Sequence, residues 1–192
     1  MQMKHLFVAA IALLTAACLP VTSKAPVGNA GADAGLAGTW KAVLTDNKAT
    51  AWFHFLPQKD GSLTVLIVAS KNKNDDASWT QFKVRTAQLG ELHYINAVEV
   101  ADDGKPATGH TATDNIPLFY RYTGTRKLTL YLIDEKKAAD AVRSKKISGT
   151  VEKGDFGDVH FTADAAEQNK FFASKDGAAL FTTSFAVLTK AD

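Results

Sequence analysis

The feature that most constrains this chain is an alternation of apolar and polar residues that begins at Gly38. Trp40, Ala42 and Leu44 alternate with Thr39, Lys41 and Val43, and a period of two is that of a β-strand with one buried face. Similar runs, broken by turn residues such as Gly90, occupy 52–56, 63–69, 78–89, 92–100, 118–122, 128–133, 151, 159–161 and 181–188. Nine or ten short strands predict a mainly β protein, either an antiparallel barrel or a sandwich.

Two segments have helical rather than strand character. Asp134 is a suitable N-cap for an amphipathic stretch that ends in basic residues at Lys146, as the helix dipole favours. Asp164, followed three residues later by Glu167, fits a capping box that opens a second helix ending at Gly177. The lysines of the first helix are better explained as a solvated face than as a membrane or partner patch.

Residues 1–17 have the three-part pattern of a secretory signal. Lys4 supplies the positive start, residues 6–14 are apolar, and small residues follow them. A helix needs about 20 apolar residues to cross a bilayer, and no charge-free segment of this chain is that long. We therefore expect a secreted chain without a transmembrane helix.

Cys18, the only cysteine, follows Leu14-Thr15-Ala16-Ala17. This sequence resembles the lipobox of bacterial lipoproteins, although Thr15 stands where an aliphatic residue is usual. In that family the cysteine sulfur receives a diacylglycerol, the signal is cleaved before the cysteine, and the new amino group is acylated, for example with palmitate. The resemblance implies firm membrane attachment, because several acyl chains hold a protein stably. The alternative is a plain secretory signal that contains a cysteine.

Residues 18–36 are predicted to be the lipidated cysteine and a flexible tether. Ala, Gly, Pro, Ser, Thr and Asn dominate this segment, which has no aromatic residue and no periodicity, so it cannot bury enough apolar surface to fold alone. We expect residues 19–36 to be dispensable for folding, with a single domain over 37–192. In many bacterial lipoproteins an Asp after the cysteine resembles a retention signal for the inner membrane. The resemblance, with Leu19 at this place, therefore implies the outer membrane, with the domain in the periplasm or at the cell surface.

The charge balance excludes nucleic-acid binding by bulk electrostatics, since 22 basic residues face 20 acidic ones. A single cysteine excludes an intrachain disulfide and a thiolate metal cluster. The histidines beyond the signal, His54, His93, His110 and His160, are far apart in sequence, so none forms a local zinc pair. We expect no metal site and no cofactor.

Gly38-Thr39-Trp40 opens the first strand and resembles the Gly-x-Trp motif of the lipocalin family. There the tryptophan closes one end of an eight-stranded antiparallel barrel, the calycin architecture, whose open end binds an apolar ligand. The resemblance implies that Arg126 or Arg121 packs on Trp40. The family's Thr-Asp-Tyr motif is incomplete, because Asn115 follows Thr113-Asp114, and two helices replace one. The domain is also similar to small uncharacterised envelope lipoproteins of proteobacteria, which implies no activity.

Catalytic patterns are weak in this sequence. Ser70-Lys71-Asn72-Lys73 matches Ser-x-x-Lys, but its partner motifs are missing, and Asp155-Phe156-Gly157 has nothing else of a kinase around it. The paired carboxylates stand at predicted turns or caps, where acidic residues are common. We therefore expect a protein that is not an enzyme.

Strand alternation places Phe82, Tyr94, Asn96, Val98, Tyr120 and Tyr122 together in the predicted interior. The candidate ligand-binding residues are Tyr94, Asn96, Tyr120 and His54. Asn96 is the unusual member, because a buried amide needs hydrogen-bond partners. Its side chain satisfies backbone groups, or it makes a polar contact at the bottom of an apolar cavity.

Three functions follow from these patterns. The first is a lipid-anchored envelope protein that binds a small apolar ligand in its barrel. The second is an envelope accessory protein that contacts other proteins, for example in assembly, secretion or stress. A hydrolase is the third. A cavity inside the barrel would favour the first, and a solid core the second.

Overall fold

The computed structural model describes residues 21–44, 50–69, 77–152, 158–182 and 184–191. The signal segment, Cys18, the Ser-x-x-Lys match at 70–73 and the triplet at 155–157 lie outside the described residues. The strands are β1 Val21–Ser23, β2 Asn29–Ala30, β3 Gly38–Leu44, β4 Thr50–Pro57, β5 Leu63–Ala69, β6 Ser78–Leu89, β7 Leu92–Asp102, β8 Lys105–Pro106, β9 Ile116–Gly124, β10 Lys127–Tyr131, β11 Gly149–Val151, β12 Val159–Phe161 and β13 Ser184–Lys190. The helices are α1 His110–Thr113, α2 Glu135–Arg143, α3 Ala165–Phe172 and α4 Lys175–Ala178, with a 3₁₀ turn at Ala34–Leu36.

Eight of these strands form a closed antiparallel barrel. Their order is β6-β5-β4-β3-β13-β10-β9-β7, and β7 pairs back with β6. Alternate side chains of the barrel strands point inward and form the first hydrophobic core, which includes Trp40, Phe53, Ile67 and Leu188. The mainly β, closed-barrel prediction is therefore confirmed, and the architecture is consistent with a calycin-like fold.

A second layer covers one side of the barrel. It contains α2, α3, α4 and a three-stranded sheet in the order β1-β12-β11, in which β1 and β12 run parallel. Tyr94 and Phe119 from the barrel meet Phe161 and Phe172 from this layer in a second hydrophobic core. Both faces of β7 and β9 are therefore buried over part of their length.

The two predicted helices begin at the predicted caps. The Asp134 carboxylate accepts a hydrogen bond from the backbone N–H of Lys137, and that of Asp164 from Glu167. The Glu167 side chain does not complete the capping box, because it accepts a hydrogen bond from the backbone N–H of Ser148. The predicted second helix is divided into α3 and α4, and α1 lies outside both predicted helices.

The prediction of a flexible tether is wrong for residues 21–36, which we call the N-terminal strap. Val27 and Leu36 are fully buried, and Val21 is only 4% exposed. Ser23 exchanges two backbone hydrogen bonds with Asn115 at one barrel end, and Asn29 pairs with Gln88 near the other. The strap has no periodicity because it crosses the domain as an irregular segment, burying single apolar side chains at widely spaced positions.

Candidate functional site

One end of the barrel is closed by Trp40. Its side chain is fully buried, and its Nε1 donates a hydrogen bond of 2.8 Å to the carbonyl oxygen of Leu36. Gly38 has a φ of +113°, a backbone conformation that favours glycine. This conformation explains the glycine of the Gly-x-Trp motif. The role of Trp40 implied by the lipocalin resemblance agrees with this geometry.

The cation beside Trp40 is Lys190, whose Nζ lies 5.4 Å from the centroid of the ring and donates to the Gly35 carbonyl. The expected arginines lie elsewhere. Arg121 lies over the ring of Phe119, and Arg126 donates a hydrogen bond to the carbonyl oxygen of Lys190. Neither arginine is the packing partner of Trp40; a lysine from the last strand takes that place.

A cavity of about 60 Å³ lies inside the barrel. Its walls are apolar side chains from β4, β5, β6, β7, β9 and β10, and Leu132 and Phe185 also line it. Representative wall residues are Phe53, Ile67, Phe82, Ala97, Ile116 and Leu130. Apolar side chains offer a water molecule no hydrogen-bond partner, so a cavity with such walls suits small apolar molecules.

The cavity volume limits what the barrel can hold. About 10–15 Å³ suffices for one water molecule, whereas clefts that enclose a drug-sized ligand measure roughly 300–1,000 Å³. At about 60 Å³, the cavity has room for no more than a small apolar molecule or the end of an apolar chain. A whole lipid needs more space than the described side chains leave.

Two of the candidate ligand-binding residues do not reach this cavity. Tyr94 and Asn96 are buried, but they lie on the outer face of β7, as Val98 does; Ile95 and Ala97 line the interior. The expected shared interior is therefore wrong for these three residues and right for Phe82. The second layer and the strap cover the outer face of β7, so the side chains on that face are buried as well. Both faces of the strand therefore have the composition of a core.

Asn96 binds the strap. Its Oδ1 accepts a hydrogen bond of 2.8 Å from the backbone N–H of Val27, and its Nδ2 donates one of 3.0 Å to the carbonyl oxygen of the same residue. Of the two alternatives that the sequence left open, the amide therefore satisfies backbone groups. It fixes the middle of the strap against β7.

Tyr120 and Tyr122 lie in the first core near the closed end. Both hydroxyl groups donate to Oδ2 of Asp33, at 2.6 and 3.0 Å, and Tyr120 also contacts the His93 ring. Burial, together with the Asp33 carboxylate, raises the pKa of each phenol well above its ordinary range. These tyrosines hold the strap; neither lines the cavity.

His54 lies on the outer face of β4. Its Nδ1 is 3.0 Å from the Thr39 hydroxyl oxygen, and it shares the face with Trp52 and Leu56, which are 40% and 49% exposed. It is therefore not a wall residue of the cavity. Trp52, Val68 and Trp79 are paired across three neighbouring strands of this face.

A group that the sequence reasoning did not connect lies outside the barrel. His110 Nδ1 is 2.8 Å and His160 Nδ1 is 3.9 Å from Oδ2 of Asp114, and the two imidazole rings stack with centroids 4.5 Å apart. The spacing of His110 and Asp114, four residues on one helical turn, is a local signal for part of this group. Nothing in the sequence predicts the approach of His160.

Comparison with protein-family models, with curated proteins and with solved structures yields no match for this chain. No helix among the described residues is long and apolar enough to cross a membrane. The fold and the side-chain geometry therefore carry the functional argument.

Proposed function

We propose that this chain is a lipid-anchored cell-envelope protein, not an enzyme, that binds a small apolar group inside its barrel. The observation that carries the proposal is the apolar cavity of about 60 Å³ that lies inside a barrel closed at one end by Trp40. Apolar walls without a charged side chain favour retention of a hydrocarbon and offer no group for acid–base chemistry.

The ligand class follows from the volume and the walls. We infer a small hydrocarbon or aromatic molecule, or the terminal carbons of a longer chain whose remainder stays outside. Burial of apolar surface contributes roughly 25 cal/mol per Å², so a ligand of a few carbon atoms binds weakly. A longer chain would gain affinity from contacts beyond the described wall.

The path of the strap supports a membrane source for this ligand. Ser23 is bonded to Asn115 just before β9 begins, at the barrel end opposite Trp40. Only residues 19 and 20 separate Cys18 from Val21, and three extended steps span roughly 10 Å. A lipid on Cys18 would hold the end opposite Trp40 near the headgroups, where apolar chains are abundant.

Methyl-resolved NMR of the mature domain tests the ligand proposal, with benzene and 1-hexanol as probes. We expect saturable shifts at the methyl groups of Val65, Ile67 and Ile95, which line the cavity. Ala97→Leu should abolish these shifts because it fills the space beside that wall. Trp52→Ala, on the outer face, should leave them unchanged.

Shifts that persist in Ala97→Leu, or that appear only at exposed methyl groups, would contradict the proposal. In that case the accessory alternative gains support from the outer face, where Trp52 is 40% exposed beside Val68 and Trp79. Neighbouring apolar side chains on a surface are typical of protein contacts.

A further inference from the structure

Three potential metal ligands meet at the edge of the second layer. His110 is the first residue of α1, Asp114 is the C-cap residue of that helix, and His160 is the middle residue of β12. One ligand atom from each side chain lies within 4.8 Å of the other two. The three residues come from two segments that are distant in sequence and that the fold brings together.

We propose that His110, Asp114 and His160 form a binding site for a divalent transition-metal ion such as Zn²⁺. Two imidazoles and one carboxylate match the ligand types that zinc takes, with bonds of about 2.0–2.2 Å. Ligand atoms around such an ion lie about 3–4 Å apart. From Asp114 Oδ2, the Nδ1 atom of His110 is 2.8 Å away, slightly below that range, and the Nδ1 atom of His160 is 3.9 Å away, within it. Because the two imidazole rings stack with centroids 4.5 Å apart, binding requires the rings to turn until both nitrogens face the same point.

The donor set discriminates between classes of metal. Imidazole nitrogen favours zinc, copper, nickel and iron, whereas calcium and magnesium require mostly oxygen ligands. Three protein ligands also leave one position of a tetrahedral ion for water or another donor. The site is thus expected to take up Zn²⁺ and to ignore Mg²⁺.

The surroundings of the ligands favour a defined site. The side chains of His160 and Asp114 are only 14% and 18% exposed, and the Thr22 hydroxyl oxygen lies 3.0 Å from Nδ1 of His160. This is the nitrogen that also faces Asp114, so an ion bound at Nδ1 would replace the contact with Thr22. Through its three ligands the ion would connect α1 with β12.

Calorimetric titration of chelator-treated mature protein with Zn²⁺ tests the site. We expect one equivalent to bind and the melting temperature to rise with Zn²⁺ concentration, since a ligand that binds only the folded state stabilises it. His110→Ala should weaken binding by at least about tenfold. Its side chain is 55% exposed, so this variant should fold normally. Mg²⁺ should give no heat of binding.

His54→Ala is the matched control, because His54 lies on β4, where its Nδ1 faces the Thr39 hydroxyl, and has no place in the site. Asp114→Asn and His160→Ala should resemble His110→Ala, and Co²⁺ bound to the wild type should show the visible absorption of a site with nitrogen ligands. Absence of Zn²⁺ binding, or equal losses in His54→Ala and His110→Ala, would overturn the proposal.

Discussion

The indole of Trp40 donates a hydrogen bond of 2.8 Å to the carbonyl oxygen of Leu36, and both side chains are fully buried. This contact joins the last residue of the strap's 3₁₀ turn to the first barrel strand. Closure of the barrel end and docking of the strap are therefore coupled through one pair of residues.

Trp40→Ala should cost roughly 3–5 kcal/mol of unfolding free energy, as large-to-small changes at buried aromatic residues do. Trp52→Ala and Trp79→Ala are controls, because Trp52 is 40% exposed and Trp79 is only partly buried. Each control should lose about 1 kcal/mol or less. Urea denaturation measures all three, and similar small losses would contradict a plug role for Trp40.

Tyr94→Phe should leave stability unchanged or raise it by about 1 kcal/mol. The Tyr94 hydroxyl is buried and has no hydrogen-bond partner among the described residues, so its removal relieves a desolvation cost. Tyr120→Phe provides the contrast, because its hydroxyl donates to Asp33, and its loss should cost about 1–3 kcal/mol. Thermal melts measure both variants. Equal losses of stability would contradict the view that the Tyr94 hydroxyl has no hydrogen-bond partner and the Tyr120 hydroxyl has one.

The domain should lose stability at alkaline pH. Burial raises the pKa of Tyr94 to about 12, and the phenols of Tyr120 and Tyr122 shift in the same direction. An unfolded tyrosine ionises near pH 10, so the unfolded state releases protons first. The stabilisation is complete below about pH 10 and is lost as the pH rises towards 12. Urea midpoints at pH 9 and 11 measure the loss, which should be smaller in Tyr94→Phe.

Removal of the strap should destabilise the domain severely. A chain that begins at Gly35 lacks Val27, leaves the Asn96 amide without its two partners and uncovers part of the second core. We expect a loss of at least about 10 °C in melting temperature, since 1 kcal/mol corresponds to about 2–4 °C at this size.

Asn96→Ala in the full mature chain tests the contact between the strap and β7 without removing the strap, so its effect is distinguishable from a simple failure to fold. It should cost about 1–3 kcal/mol, whereas Asn29→Ala, at an exposed position of the strap, should be neutral. An unchanged melting temperature in the truncated chain would restore the interpretation of this segment as a tether.

Cys18→Ser should abolish membrane attachment if the lipobox resemblance is correct. The reason is that Cys18 is the only cysteine of the chain and the lipidation that we propose needs its sulfur. Fractionation after a salt wash measures the effect, with Asn29→Ala, at an exposed position of the strap, as the control that keeps the cysteine. A Cys18→Ser protein that still sediments with membranes would contradict the lipid anchor.

The eight barrel strands, the two longer helices and the place of Trp40 could be predicted from the sequence, because each has a local pattern. The sequence could not show which side chains of β7 point into the barrel, since neighbouring residues such as Asn96 and Ala97 are both buried. Alternation does not distinguish a barrel interior from an outer face that a second layer covers. The packing of the strap could not be predicted because Val27 and Leu36 are isolated apolar residues without a periodic pattern. They become buried only through contacts in the folded domain. The approach of His160 to Asp114 depends on tertiary structure alone.

The pairing of β3 with β13 has a consequence for biosynthesis. Trp40 lies opposite Lys190 in this pair. The first barrel strand, β3, can therefore pair on both edges only after the last strand, β13, has been synthesised. Contacts between such distant residues make folding slow, and an unpaired strand edge invites aggregation in the meantime. A chain that emerges N-terminus first would therefore keep one edge of β3 unpaired until β13 has been made.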